Sequence, residues 1–163
     1  MKISIAFLLS AALGAGPALA QSQSFQLSSD AAENIIAGCK NHAQASKQSH
    51  HAIAVFDKGG NLLAALRMEG NGPGVMAFSQ AKAKAVANWG FSTAQMEDAI
   101  KGTPGFANEP HIVTVAGGVP VFTADGRNFI GSVGVSGEAP AVEVACAVAG
   151  ITAAGLSADR ARD

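Results

Sequence analysis

Apolar and polar positions alternate with two different periods along the chain. Ser28-Ser29-Asp30 forms a cap-like start, after which Ile35, Ile36, Cys39 and His42/Ala43 recur at helical spacing, predicting a helix over 29–47. The run His51-Ala-Ile-Ala-Val-Phe56 reads as a strand. Asp57 to Asn61 is a turn dense in residues that tolerate positive φ, and 61–67 returns as the second arm of a hairpin. Gly70-Asn-Gly-Pro-Gly74 breaks the pattern. An Ala- and Lys-rich helix is then expected over 75–90, stopped by Gly90, with a shorter one opened by Ser92-Thr93 and running to Lys101. The stretch 102–110 holds two prolines and two glycines and predicts a loop. Three β-rich pieces follow at 111–116, 119–123 and 128–135, and a helix apolar almost all round covers 139–154. The order is α-β-β-α-α-β-β-β-α, which implies an α+β fold: a five-stranded antiparallel sheet with helices packed on it. A helix as apolar as the last one must be covered on more than one side.

The first twenty residues fit none of these elements. Lys2 is a positive n-region, 3–13 a short apolar h-region, and Ala18-Leu19-Ala20 an A-x-A cleavage site, so they read as a signal peptide with Gln21 as the mature N-terminus. Periplasmic or secreted localisation is the expectation. The remaining 143 of 163 residues suit one domain, 21–163. Losing Lys2 moves the formal charge from −1 to −2, and the basic residues are scattered, which argues against a nucleic-acid partner. No later run is long and apolar enough for membrane insertion. Charged residues make up only 14% of the chain, which favours burial of surface in a homo-oligomer. Cys39 and Cys146 are an even pair in an oxidising compartment; they are either a disulfide joining the first and last helices or two small buried apolar residues.

Three separated blocks occur in order: Ile53-Ala-Val-Phe-Asp57 with Gly59-Gly60; Arg67-Met-Glu-Gly70 followed by the helix bearing Lys82 and Lys84; and Gly117-Gly-Val-Pro120 with Ile130-Gly-Ser-Val-Gly-Val-Ser-Gly137. Together they resemble the GlcG/HbpS-like haem-binding family, related to the PduO C-terminal domain, over about residues 28–156. The resemblance implies a profilin-like or roadblock-like fold, oligomeric assembly, haem as cofactor, and in some members haem degradation or sensing. Glu69 and Glu143 stand where Asp is more usual in that family; both keep the charge.

Haem asks for an axial ligand, an apolar slot and polar groups for its propionates. His42, one helical turn from Cys39, and His111, after the Pro/Gly loop, are the leading candidates for the iron; the resemblance adds that a first-helix histidine has been associated with haem in the family. His50 and His51 are further candidates, pointing to opposite faces if both lie in the strand. Arg67 is a candidate for a propionate or for an ion pair with Glu69 or Asp57; Met68 and Met76 line a haem slot or fill core. Phe78, Trp89, Phe91 and Phe106 offer aromatic area to a porphyrin or to a subunit contact. The spacings H-x-x-H, H-E-x-x-H and C-x-x-C are missing, so a multi-ligand zinc site is not expected. Ser136 sits off the frame of a G-x-S-x-G elbow and reads as a helix cap beside a tight backbone approach, and Gly131, Gly134 and Gly137 as room for a close helix or subunit contact. No catalytic residue is assigned. The leading expectation is an exported haem binder that stores, senses or traffics haem. The alternatives are an enzyme or accessory factor acting on haem or a small organic acid, and an oligomeric scaffold without a specific ligand.

Overall fold

The computed structural model describes residues 25–47 and 50–162; the signal-peptide reading at 1–20 lies outside them. The chain runs α1 (Ser29–Ala45), β1 (Ala52–Asp57), β2 (Leu62–Arg67), α2 (Pro73–Trp89), α3 (Thr93–Gly102), a short 3₁₀ turn (Pro104–Asn108), β3 (Gly118–Phe122), β4 (Phe129–Ser136) and α4 (Pro140–Ala153). The sheet is antiparallel, ordered β2-β1-β4-β3.

Local chemistry explains the element ends. Ser28 caps α1 by accepting from the Ala31 N–H. Asp57 Oδ1 accepts the N–H groups of Gly59 and Asn61 and so closes the β1–β2 turn. α2 begins two residues earlier than expected, because Pro73 at its first position is preset for helical φ; it ends at Gly90 in the left-handed conformation. Ser92 and Gln95 form a reciprocal capping box on α3.

β1 separates two apolar layers. Ile53 and Val55 face α1 and α4, in a core that includes Ile35, Val121, Val133, Val135 and Ile151, whereas Ala54 and Phe56 pack under α2 against Ala83 and Ala87. Cys39 and Cys146 form a disulfide, their Cα atoms 4.6 Å apart, tying α1 to α4 inside the first layer. These helices lie nearly backbone to backbone: a Cβ on Gly150 would stand 2.4 Å from the Ile35 carbonyl oxygen. Gly134 does the same on the other face. A Cβ there would lie 1.9 Å from the Ser79 carbonyl oxygen, so the glycine lets α2 sit directly on β4.

Four strands form, not five. Residues 111–116 make no ladder, and His111 is left-handed at φ 62°. The segment is β-rich, but the outer edge of β3 is already occupied: Phe122 and Ser157 exchange both backbone hydrogen bonds, and Thr93 Oγ1 accepts the Gly118 N–H. Extended residues without an edge to join stay irregular.

Candidate functional site

A cleft of about 400 Å³ opens where the start of α2, the irregular segment before β3, the end of β4 and the start of α4 converge. Its volume falls within the roughly 300–1,000 Å³ of small-molecule sites. Val75, Phe78, Val115 and Pro140 give it an apolar mouth, and Phe78 and Val115 are 40% and 37% exposed. Isolated exposed apolar side chains are common, but two flanking one cavity mark a surface suited to an apolar ligand.

The floor is polar and buried. Lys82 is 1% exposed on the α2 stripe Ser79, Lys82, Ala83, Val86, and Glu143 is 3% exposed on α4. Lys82 Nζ donates to Glu143 Oε2 at 2.5 Å and to the Val135 carbonyl at 3.1 Å, and lies 4.6 Å from the centre of the Phe78 ring. Glu143 Oε1 accepts the N–H groups of Gly137 and Glu138, fixing the β4–α4 turn. Both charges are therefore compensated by partners, as burial demands. Ser136, 2% exposed, also belongs to the lining, and its covered Oγ makes no hydrogen bond to a described protein group. The capping role expected of Ser136 is not realised. α4 has Ala139 at its N-cap and no side-chain cap.

The other expected residues scatter. His42 is half-buried on α1, and His50 is exposed. His51 is fully buried at the start of β1, with neither ring nitrogen bonded to a described group. Burial holds its pKa below the usual 6.5, and His42 and His50 add to that, while Glu138 and Glu143 oppose it. His111 is exposed in a turn instead of starting a strand, so no rigid ladder positions it. Among the described residues no three His, Cys, Asp or Glu side chains are grouped to hold a metal. Arg67 donates to the Asn71 carbonyl and not to Glu69 or Asp57. Met68 is 4% exposed and belongs to the core; Met76 is half-buried on α2. Trp89 and Phe91 pack on Phe106, and the Trp89 indole N–H donates to the Pro110 carbonyl, which fastens the 3₁₀ turn to the end of α2. Of the four aromatics, Phe78 is the one that lines the cleft.

Sequence reasoning passed over Lys82 and Glu143 as site residues, though a signal existed. Each is a lone charge inside a buried helical stripe, which requires a partner across the fold.

Comparisons with known proteins agree with this architecture. Residues 27–152 match the family described as haem degrading protein HbpS-like. The protein GlcG of Escherichia coli K12 is 40% identical over 111 residues, covering 68% of this chain and 81% of that protein. An HbpS double mutant from Streptomyces reticuli superposes with a TM-score of 0.73 at 28% identity, covering 88% of this chain and 97% of the other. A PduOC:haem complex shares the fold, with a TM-score of 0.73 at 20% identity over 83% of this chain and all of the other. The match over most of its length and the identity to GlcG establish that the chain belongs to the HbpS-like haem-degrading protein family.

Proposed function

We propose that the protein binds haem, with an edge of the macrocycle seated in the cleft between α2 and α4. The observation that carries this reading is the apolar mouth, where Phe78 and Val115 stand exposed over an otherwise buried floor. Family membership and the haem held by PduOC support it. The residues present fit the group in part: the mouth offers apolar contact, and although no histidine lines the cleft itself, half-buried His42 and exposed His50 and His111 are accessible imidazoles outside it that could reach an iron. His51 and Met68 are too buried to serve without local opening, whereas exposed Arg67 remains a partner for a propionate. When bound, haem supplies a redox-active iron; the chain's own side chains supply orientation and cover.

Export to the periplasm or medium belongs to the same reading. It is supported by the charged and apolar pattern of residues 2–20 and by the Cys39–Cys146 disulfide, a bond at home in an oxidising compartment. No helix among the described residues is long and apolar enough to cross a membrane. Assembly into homo-oligomers is part of the proposal, since it would cover apolar side chains such as Phe25 and Val148, 38% and 37% exposed.

The test is haem titration of the protein followed by absorbance, with His42→Ala and His111→Ala alongside. A saturable Soret shift near one haem per chain, weakened about tenfold by one substitution, or about 1.4 kcal/mol, is expected. A spectrum that stays that of free haem rejects the reading.

A further inference from the structure

We infer that Arg127, Arg160 and Arg162 form a second binding site, at the end of the sheet away from the haem cleft, and that it takes a small soluble diphosphate.

Arginines are few and far apart in the sequence, yet the fold gathers three of the four around one cleft of about 590 Å³, with Asp125 and Ala161 in its lining. Backbone pairing holds them there. Phe122 and Ser157 exchange hydrogen bonds, and the Ala161 N–H donates to the Gly126 carbonyl, so residues 157–162 lie along the β3–β4 turn that carries Arg127. Gly126, at φ 72°, permits this approach: a Cβ there would stand 2.8 Å from the Ala161 nitrogen. The Arg160 guanidinium lies over the Phe122 ring, 5.3 Å from its centre, which orients it before any ligand arrives. Phe129, beside this turn, and Ser136, at the haem cleft, are the two ends of β4, roughly 24 Å apart at about 3.4 Å per residue. The two sites are therefore separate.

Charge and donor count select the ligand. Three cations face one carboxylate in the lining. Among the described residues no carboxylate forms an ion pair with any of the three guanidinium groups. Asp125 is turned to its own loop, where the Thr123 hydroxyl and the Arg127 N–H donate to its Oδ1. Like charges gathered in this way repel one another until an anion joins them. Each guanidinium offers five N–H donors in a planar fork, so three forks exceed what the two oxygens of a single carboxylate can accept. A phosphoryl group brings three strongly accepting oxygens and close to two negative charges, and two joined phosphoryl groups match several forks at once. The lining has no large apolar side chain to enter a bilayer, which favours a soluble ligand over a membrane headgroup.

Inorganic pyrophosphate is the probe, titrated into the intact protein by chemical-shift mapping at neutral pH. Sulfate and acetate are run at matched ionic strength, because salt alone screens exposed charges. Pyrophosphate is expected to bind saturably, to shift the backbone signals of residues 125–127 and 160–162, and to bind at least tenfold more tightly than sulfate or acetate. Arg127→Gln and Arg160→Gln should each weaken it at least tenfold, whereas Lys40→Gln, which removes an exposed cation on α1, should leave it within twofold. Binding no tighter than that of sulfate, shifts confined to other residues, or equal losses in all three variants overturns the inference, whether or not haem binds. Capture by phosphatidylglycerol vesicles without binding of pyrophosphate places the occupant in a membrane and overturns it too.

Discussion

Replacing Lys82 with Met should be among the most damaging single changes in the protein. The side chains are similar in length, so packing under α2 is largely kept, but Glu143 stays 3% exposed and loses the cation at 2.5 Å. It keeps only the two N–H donors of Gly137 and Glu138. Removing one partner of a buried pair costs about 3–5 kcal/mol, because the survivor is an uncompensated charge. Both side chains are buried, so solvent screening does not reduce this figure. Glu143→Leu strands the Lys82 ammonium and should cost a similar amount. The double variant Lys82→Met/Glu143→Leu buries no charge and should be less destabilised than the sum of the singles by at least about 2 kcal/mol. Urea unfolding followed by Trp89 fluorescence, with the disulfide intact, reads all four states of the cycle. A Lys82→Met cost below about 1 kcal/mol, or strict additivity in the double variant, refutes the claim that the pair is a buried, mutually dependent unit.

Two further stability predictions follow from the core. The Cys39–Cys146 bond closes a loop of 107 residues in sequence. In the chain-entropy account a loop of about that length stabilises by roughly 4.7 kcal/mol, so the double Cys39→Ala/Cys146→Ala variant should lose about 2–5 kcal/mol in urea unfolding; a loss under about 1 kcal/mol contradicts this. His51, whose pKa burial depresses below 6.5, binds its proton more weakly when folded than when unfolded. Its contribution is therefore complete above the unfolded value and is lost as pH falls through about 6.5 toward the lower folded value, by up to about 1.4 kcal/mol per pH unit. Melting at pH 7.5 and 5.5 should show a smaller acid loss in His51→Leu than in the parent, and equal losses would exclude this role for His51.

All four α-helices were legible, by different signals: α1 from the recurrence of Ile35, Cys39 and Ala43 on one face, α2 from its Ala- and Lys-rich run stopped by Gly90, α3 from its Ser92 cap, and α4 from its continuous apolar run. The β1–β2 hairpin was legible from Asp57 to Asn61, where a side-chain oxygen bonds the turn's own backbone. The fifth strand was misread because composition reports the preference of residues 111–116 for extended backbone, while the competitor for the β3 edge, Ser157, comes only after β4 and α4 in the chain. The histidines drew attention as haem ligands by residue type. Which of them is buried depends on tertiary packing, and that placed His51 in the interior and His111 in a left-handed turn. The cleft itself was not readable, since Lys82 and Glu143 are 61 residues apart and meet only because α2 and α4 approach the end of β4 from opposite faces of the sheet.

The placement of haem in this cleft is tested most directly by its dissociation constant in two surface variants, Val115→Asp and Leu62→Asp. Both residues are exposed apolar side chains, but Val115 borders the cleft and Leu62 lies on the edge strand β2, away from it. Haem bound at the mouth of the cleft should be weakened at least tenfold by Val115→Asp, about 1.4 kcal/mol, and left within twofold by Leu62→Asp. Equal affinities in both variants, or a loss confined to Leu62→Asp, would contradict the account and move the ligand elsewhere on the protein.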